Sequence, residues 1–299
     1  IPYWSTDCGE KFDRFEDFDN VFNLFLSKLD KYNPKKYIDS ELSPKKSIDT
    51  LLKLFWFMSN LTVILPCAGE GTRLSLPYPK EIHSIEKNKS LIDYSFELFS
   101  NYGRRDVEFV ITLNENKTEI LKYVSRYKSR FNISFTFFNP QETEYTGSIK
   151  SAKHLFGEKN LVLLPDTYLK LKSSQDIVNL VSDSLNETGF TFFYKKEKNE
   201  NMLKTKGSLF IDENNLVQEY EDKPQEDLVR FNSFWTAFAF RKRVFDTCIE
   251  FMEKSTLNHR QLIGEIKNTP LYKSKAIEVD DYIDLGTWEQ IYNFLKKYG

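Results

Sequence analysis

Short apolar runs and amphipathic stretches alternate along most of this chain. The run from Leu61 to Leu65 is apolar and partly β-branched, which predicts a strand buried on both faces. In residues 91–102 apolar side chains recur every three or four positions, which predicts a helix that stops at Gly103. The same alternation predicts further strands and helices, the strands at 107–113, 133–137 and 161–164 and the helices at 116–126 and 148–156. Strands that alternate with helices are typical of an α/β domain, with a mostly parallel central sheet flanked by helices.

The pattern changes after residue 188, where strands follow one another without intervening helices. Four strands are predicted there, at 189–194, 207–211, 216–220 and 234–240. Consecutive strands favour antiparallel pairing, so we expect a small antiparallel lobe attached to the main sheet. Two amphipathic stretches near 242–253 and 288–297 predict closing helices.

Residues 1–57 differ from the rest of the chain. Apolar side chains recur there at helical spacing, at Phe18, Val21, Phe22, Phe25 and Leu29. Ser43-Pro44 is typical of a helix start and predicts a second helix after it. No chemistry-bearing motif lies in this segment. We therefore predict a helical N-terminal segment, 1–57, and a catalytic domain, 58–299.

Composition narrows the class of protein. The 299 residues are 40% hydrophobic and 29% charged, and 42 Lys plus Arg nearly balance 44 Asp plus Glu. This balance argues against a nucleic-acid partner, which favours a basic excess. No stretch holds the roughly 20 apolar residues of a membrane span, and no charged leader precedes a short apolar run. Three cysteines without a CxxC motif fit a reducing compartment, so we expect a cytoplasmic protein.

A glycine-rich loop follows the first predicted strand. Residues 65–74 read LPCAGEGTRL, and Pro79-Lys80 come shortly after. Glycines let backbone N–H groups approach a phosphate closely, and Arg73 and Lys80 add positive charge near the same anion. Ligands of open α/β sheets bind at the carboxyl ends of strands, where this loop lies. Cys67 has no paired histidine in the sequence and is interpreted as a packing residue.

This loop and the Pro79-Lys80 pair resemble the signature of sugar-phosphate nucleotidyltransferases. That signature is a strand, then (A/G)GxGxR(L/M), a short loop and PK. The resemblance covers roughly residues 58–299 and implies a Rossmann-like nucleotidyltransferase fold. It implies that Arg73 and Lys80 are catalytic and assigns nucleotide-binding roles to Ala68, Gly69, Gly71 and Thr72.

Two aspartates extend the resemblance. Asp166 closely follows an apolar strand, where an Asp taken alone is also a common turn cap. Residues 282–287, YIDLGT, resemble the family's (W/Y)xD(I/T)GT element. The resemblance implies that Asp166 and Asp284 hold Mg²⁺ together and that Asp166 is catalytic; Mg²⁺ prefers carboxylate and phosphate oxygens. Asp281 falls outside the element and is interpreted as a solvated loop charge.

Weaker motifs lie between these elements. Gln141 and Gly147 resemble the family's Gln and Gly that contact the nucleotide base. Gly207 resembles a family glycine beside the sugar ring, and Asp222 and Lys223 resemble its Glu-Lys-Pro element. The resemblance therefore implies sugar-phosphate binding by these three residues. Trp235 lies on an aromatic strand and is interpreted as a core residue.

The N-terminal segment has a looser resemblance of its own. Residues 1–57 resemble the C-terminal tail of a two-domain glycosyltransferase, in which a Pro-containing strand and a Gly loop lead to closing helices. Met58 onwards is similar to the start of a free-standing nucleotidyltransferase. We therefore expect a fusion in which the upstream partner is a glycosyltransferase.

The function implied by the resemblance is transfer of a nucleotidyl group from an NTP to a sugar 1-phosphate. The products are an NDP-sugar, for cell-surface polysaccharide precursors, and pyrophosphate. Three alternatives stay open at this point: a metal-dependent glycosyltransferase, a phosphocholine cytidylyltransferase and a catalytically inactive nucleotide-binding regulatory subunit. A glycosyltransferase of this architecture typically carries a DxD strand end, whereas Asp166 is followed by Thr167 and Tyr168.

Overall fold

The structure is a computed structural model that describes residues 8–11, 13–41, 60–142, 144–173, 175–185, 188–258 and 264–299. The chain divides into two units, residues 1–58 and 59–299. The described part of the first unit contains helices α1 (Phe18–Ser27) and α2 (Pro34–Glu41). The first of these confirms the helix predicted from Phe18 onwards. The helix predicted after Ser43 lies outside the described residues.

The second unit is built from strands and short helices in the predicted alternation. Its strands are β1 (Leu61–Pro66), β2 (Ser84–Glu86), β3 (Lys89–Ser90), β4 (Val107–Leu113), β5 (Asn132–Phe137), β6 (Lys159–Leu163), β7 (Thr167–Lys170), β8 (Phe190–Lys196), β9 (Gly207–Ile211), β10 (Val217–Asp222), β11 (Ser233–Arg241), β12 (Lys275–Glu278) and β13 (Asp281–Asp284). Its helices are α3 (Asp93–Glu97), α4 (Glu119–Val124), α5 (Glu144–Ser151), α6 (Ile177–Ser184), α7 (Glu200–Leu203), α8 (Phe245–Asn258) and α9 (Trp288–Tyr298).

Nine of these strands form one mixed sheet. Seven of them follow the order β10-β9-β11-β6-β1-β4-β5, and β8 pairs with both β11 and β12. Strands β6, β1, β4 and β5 are mutually parallel, so their carboxyl ends lie at one edge. Strand β11 runs antiparallel to β6, β8 and β9, and β10 runs antiparallel to β9. The α/β fold with its antiparallel lobe is therefore confirmed.

The sheet has an apolar layer on each face. Along β1 the side chains of Val63 and Leu65 pack into one layer and Ile64 packs into the other, because successive residues of a strand point to opposite faces. Both layers are fully buried at these positions. This explains why β1 is a continuous apolar run rather than an alternating one.

One of the two small two-stranded sheets, formed by β7 and β13, carries part of the site and was not predicted. Strands β7 and β13 pair antiparallel, with Asp284 opposite Thr167. Each strand has only four residues, too few for a clear period-two pattern. The helix predicted over 91–102 is also shorter than expected: α3 ends at Glu97, and successive three-residue turns, such as Phe99 N–H to the Phe96 carbonyl, continue the chain.

The interpretation of Asp281 as a solvated loop charge is wrong. It begins β13 and is buried. Lys195, Lys297 and Tyr298 all donate to its carboxylate. Burial acts to raise the pKa of Asp281, but these donors prevail and hold the pKa well below its ordinary value. The residue anchors β13 to β8 and α9.

Candidate active site

The loop after β1 is shaped by its two glycines. Gly71 adopts a left-handed backbone, with φ of 69°, which favours glycine. A Cβ there would lie 3.3 Å from the side chain of Lys80, so the glycine also lets the lysine stem pack against the loop. A Cβ on Gly69 would meet no atom within 4 Å, so its backbone faces open space. Asn114 anchors the loop, because its Nδ2 donates to the Ala68 carbonyl at 3.0 Å.

This loop forms one wall of a cleft of about 550 Å³ at the carboxyl edge of β1 and β6. The cleft brings together predicted nucleotide-site and catalytic residues from separate parts of the chain. Those that line it are Ala68, Gly69, Arg73, Lys80 and Asp166. The cleft is also lined by residues that were not predicted to belong to the site, namely Glu81, Asn114, Phe138, Tyr145 and Ser148. The geometry follows from parallel strands, which place their following loops side by side.

Lys80 and Asp166 form an ion pair within this cleft. Their side chains are only 14% and 12% exposed, so the pair is largely removed from water. Burial acts to lower the pKa of Lys80, but the Asp166 carboxylate raises it, and the balance leaves it above its ordinary value. Lys80 therefore carries a permanent positive charge at the cleft.

Asp284 is brought to the same place by the β7–β13 pairing. The N–H of Leu285 donates to the carbonyl of Asp166 at 2.9 Å, which fixes the two aspartates to one another through the backbone. The Asp284 carboxylate accepts hydrogen bonds from Gly286 N–H and from Lys206 Nζ, both at 2.9 Å. Burial acts to raise the pKa of Asp284, but Lys206 and these neighbours lower it overall, so the group is a carboxylate.

Arg73 reaches the same point from the glycine-rich loop. A Cβ on Gly286 would lie 2.6 Å from Arg73 Nη2 and 2.8 Å from Asp284 Oδ1. Both side-chain ends therefore lie over Gly286, and a methyl group there would have to push them aside. Two carboxylates and two cations, Arg73 and Lys80, thus converge on the edge that the loop defines.

The donor set suits a magnesium ion that phosphate oxygens help to hold. Among the described residues no group of three or more His, Cys, Asp or Glu side chains could bind a metal. Asp166 and Asp284 supply two carboxylates, and Mg²⁺ commonly takes one or two carboxylates and completes its shell with substrate phosphates and water. The residues present therefore fit Mg²⁺ bound together with a nucleotide.

A buried ion pair supports the segment that follows the loop. Lys117 Nζ lies 2.8 Å from Glu81 Oε1, and the two side chains are 6% and 1% exposed. Glu81 directly follows Lys80, so this pair fixes the segment that carries Lys80. Cys67 is fully buried nearby, and burial raises the pKa of its thiol well above the ordinary value. Its interpretation as a packing residue is confirmed.

Of the two residues predicted to contact the base, Gln141 lies just before α5 and Gly147 lies within it. Gln141 is exposed, and its N–H donates to Asn139 Oδ1 at 3.1 Å. A Cβ on Gly147 would lie 2.5 Å from the Glu142 Cβ, so the glycine allows the loop before α5 to pack on the helix. Gln141 and Gly147 are not among the residues that line the cleft. Thr72 is exposed and is not among them either. Their nucleotide-binding roles stay predictions.

The predicted sugar-phosphate residues lie at the paired ends of β9 and β10. Gly207 is opposite Asp222, and a Cβ on the glycine would lie 1.9 Å from Trp235 Nε1. Asp222 is buried, and its Oδ2 accepts from Thr256 at 3.0 Å. Lys223 is exposed, and its N–H donates to the Lys206 carbonyl at 2.9 Å. The structure thus groups these residues, while their binding roles stay predictions.

Trp235 is buried, as expected for a core residue, but its Nε1 has no hydrogen-bond partner among the described residues. Its ring packs against Tyr145, which lines the cleft, at a centroid distance of 5.7 Å. Buried donors in native proteins usually have a partner. The indole edge is therefore a polar group beside Gly207 that no sequence motif had indicated.

The second unit is an α/β fold with a cleft at the carboxyl edge of its sheet, beside a glycine-rich loop and two aspartates. Residues 61–299 match the nucleotidyl transferase family, and the chain belongs to this family. The motif-based assignment to nucleotidyltransferases is thereby confirmed. No curated protein matches the chain. Among the described residues, no helix has both the length and the apolar character required to cross a bilayer.

Solved structures of similar fold cover most of the second unit. A UDP-glucose pyrophosphorylase from Acinetobacter baumannii has a TM-score of 0.63 at 18% identity, over 81% of this chain and 94% of that one. A protein described as a glucose-1-phosphate thymidylyltransferase from Bacillus anthracis gives 0.58 at 16% identity, over 78% and 93%. HddC from Yersinia pseudotuberculosis gives 0.55 at 18% identity, over 80% and 99%. At these identities the likeness shows a shared fold.

Proposed function

We propose that this enzyme transfers a nucleotidyl group from an NTP to a sugar 1-phosphate, with release of pyrophosphate. The observation that carries the proposal is the convergence of Lys80, Arg73, Asp166 and Asp284 on one cleft edge, where no single segment of the chain could supply them all. The names of two similar structures, UDP-glucose pyrophosphorylase and glucose-1-phosphate thymidylyltransferase, support a phosphorylated sugar as the acceptor.

The glycine-rich loop binds the triphosphate in this proposal. Gly69 leaves its backbone open to the cleft, so loop N–H groups are available to phosphate oxygens. Arg73 stabilises the departing pyrophosphate and Lys80 the charge that develops at the α-phosphate. Such prearranged cations lower the barrier because they need not reorganise during the reaction.

The acceptor needs no protein base. A phosphate monoester is already ionised near neutral pH, so one of its oxygens attacks the α-phosphorus directly. The bond from the α-phosphorus to the pyrophosphate oxygen breaks in the same displacement. Asp166 and Asp284 would hold Mg²⁺, which when bound supplies charge neutralisation between the two phosphates. Gly207, Asp222 and Lys223 are the proposed acceptor contacts at the end of the β9–β10 hairpin.

The finer assignments also belong to this proposal. We place the reaction in the supply of NDP-sugars for cell-surface polysaccharide and expect it to take place in the cytoplasm. A glycosyltransferase upstream of residue 58 would then consume such a product in the same polypeptide. The residues named in the proposed chemistry all belong to the second unit.

Pyrophosphate release tests the proposal. The full chain should release pyrophosphate from one of UTP, dTTP, CTP or GTP only when a sugar 1-phosphate is added, and the Asp166→Asn protein should release almost none. Phosphocholine belongs in the same acceptor panel. If phosphocholine supported pyrophosphate release and none of the sugar 1-phosphates did, the acceptor would be phosphocholine rather than a sugar 1-phosphate.

A further inference from the structure

Lys206 is placed against one of the two proposed metal ligands. Its Nζ lies 2.9 Å from Asp284 Oδ2, and both side chains are only 17% exposed. The residue belongs to none of the motifs in the sequence. It comes directly before Gly207, and its carbonyl accepts the Lys223 N–H at 2.9 Å, so the backbone at the β9–β10 hairpin end fixes its position.

The second proposed ligand is occupied in the same way. Lys80 pairs with Asp166 as Lys206 pairs with Asp284. Each carboxylate therefore already has an ammonium group beside one of its oxygens. An ammonium and a divalent cation at contact distance from the same oxygen repel each other strongly in a largely buried site.

Lys206 has space to move away from Asp284. The two residues share the lining of a cavity of about 350 Å³, next to Met202, Phe234 and Tyr282. The ammonium already lies 5.9 Å from the centroid of the Tyr282 ring, a distance at which a cation is attracted to an aromatic face. The side chain can leave the carboxylate without entering the apolar core.

We propose that Lys206 is a resident counterion of Asp284 that Mg²⁺ displaces when the metal enters the site. This inference rests on the metal site of the proposed function. The cost of breaking the Lys206–Asp284 pair weakens metal binding to the nucleotide-free enzyme. An NTP supplies the negative charge that compensates for the extra cation, so metal and nucleotide bind with positive coupling. The two lysine–aspartate pairs hold the carboxylates in place before the substrate arrives.

Binding of Mn²⁺ to the nucleotide-free full chain tests the proposal. Mn²⁺ shares the preference of Mg²⁺ for oxygen ligands, and its free form is measured by electron paramagnetic resonance. Lys206→Met should tighten Mn²⁺ binding by about 10-fold, within the range of typical coupling energies. Lys206→Arg keeps the charge and should stay near the wild type. Lys153→Met removes a lysine from an exposed pair with Asp246 and is the matched control.

Two results would overturn the proposal. One is a Lys206→Met protein with native circular dichroism that binds Mn²⁺ no more tightly than the wild type. The other is a gain in affinity that persists in the Lys206→Met/Asp284→Asn protein, which would place the added binding elsewhere. The titration contains neither NTP nor acceptor, so its outcome is independent of whether the chain makes an NDP-sugar.

Discussion

The backbone N–H of Leu285 donates to the carbonyl oxygen of Asp166 at 2.9 Å, across 119 positions of sequence. This bond continues the β7–β13 pairing, in which Asp284 lies opposite Thr167. The spacing of Asp166 and Asp284 is therefore set by main-chain geometry rather than by flexible side chains. Such rigid support is what a site for one shared metal ion needs.

Asp166 and Asp284 should act as one unit. We expect Asp166→Asn and Asp284→Asn each to lower kcat by at least about 100-fold, because in the proposed site each removes a ligand charge from the same ion. For the same reason the double variant should be little worse than either single variant. Steady-state pyrophosphate release at saturating Mg²⁺ measures this. Multiplicative losses in the double variant would mean that the two carboxylates act independently.

Lys80 should act mainly in the transition state. Lys80→Ala removes a prearranged charge at the cleft, and we expect kcat to fall by about 10²–10³-fold. The KM for the NTP should change much less, because ground-state binding also uses the loop N–H groups. An effect confined to KM would make Lys80 a ground-state binding residue only.

Gly286 should be intolerant of even one methyl group. A Cβ there would lie 2.6 Å from Arg73 Nη2 and 2.8 Å from Asp284 Oδ1. Gly286→Ala should therefore move both groups and reduce kcat at least about 10-fold, since small displacements of catalytic groups are costly. Gly103→Ala is the control, because its Cβ would meet its nearest atom at 3.8 Å. Equal activity of the two variants would show that the approach of Arg73 to Asp284 is unimportant.

The buried Glu81–Lys117 pair should be needed for stability. Lys117→Met leaves the Glu81 carboxylate buried without its partner and should lower the free energy of unfolding by about 3–5 kcal/mol at pH 7. Urea unfolding measures this. In the wild type, burial raises the pKa of Glu81 above its ordinary value although Lys117 opposes it. Loss of Lys117 should raise that pKa further.

A carboxyl group whose pKa is raised in the folded state makes the protein less stable as the pH rises through that pKa. The Lys117→Met protein should therefore be less destabilised, relative to the wild type, at pH 5 than at pH 7. A pH-independent difference would mean that the lysine stem, rather than its charge, stabilises the fold. Glu81→Gln/Lys117→Met removes both charges and should recover part of the lost stability.

The sequence was sufficient for the elements whose patterns are strong. The strand Val107–Leu113 has five apolar residues among its seven and was predicted at its observed bounds. The loop from Ala68 to Arg73 follows a buried strand directly, so its place at the sheet edge follows from parallel topology. Asp166 and Asp284 were found by resemblance, which also implied that they lie close together, but the β7–β13 pairing that brings them together was not predicted.

Other site features have no local signal in the sequence. Lys206 and Lys117 are two of many lysines, and what distinguishes them is a carboxylate from a distant segment. Asp281 is a similar case. It is buried and accepts hydrogen bonds from three donors in β8 and α9, although the residues on either side of it, Asp280 and Tyr282, are charged or polar. Pairing between positions far apart in the chain cannot be deduced from periodicity, which reports only local structure.

The fate of the sugar's bridging oxygen tests the central claim most directly. The full chain is supplied with its preferred NTP and a sugar 1-phosphate labelled with ¹⁸O between C1 and phosphorus, and the nucleotide product is analysed by mass spectrometry. Attack by a phosphate oxygen on the α-phosphorus leaves the C1–O bond intact. We expect an NDP-sugar that retains the label, formed in equal amount with pyrophosphate. A product without the label, or sugar transfer without pyrophosphate, would show cleavage at C1 and contradict nucleotidyl transfer.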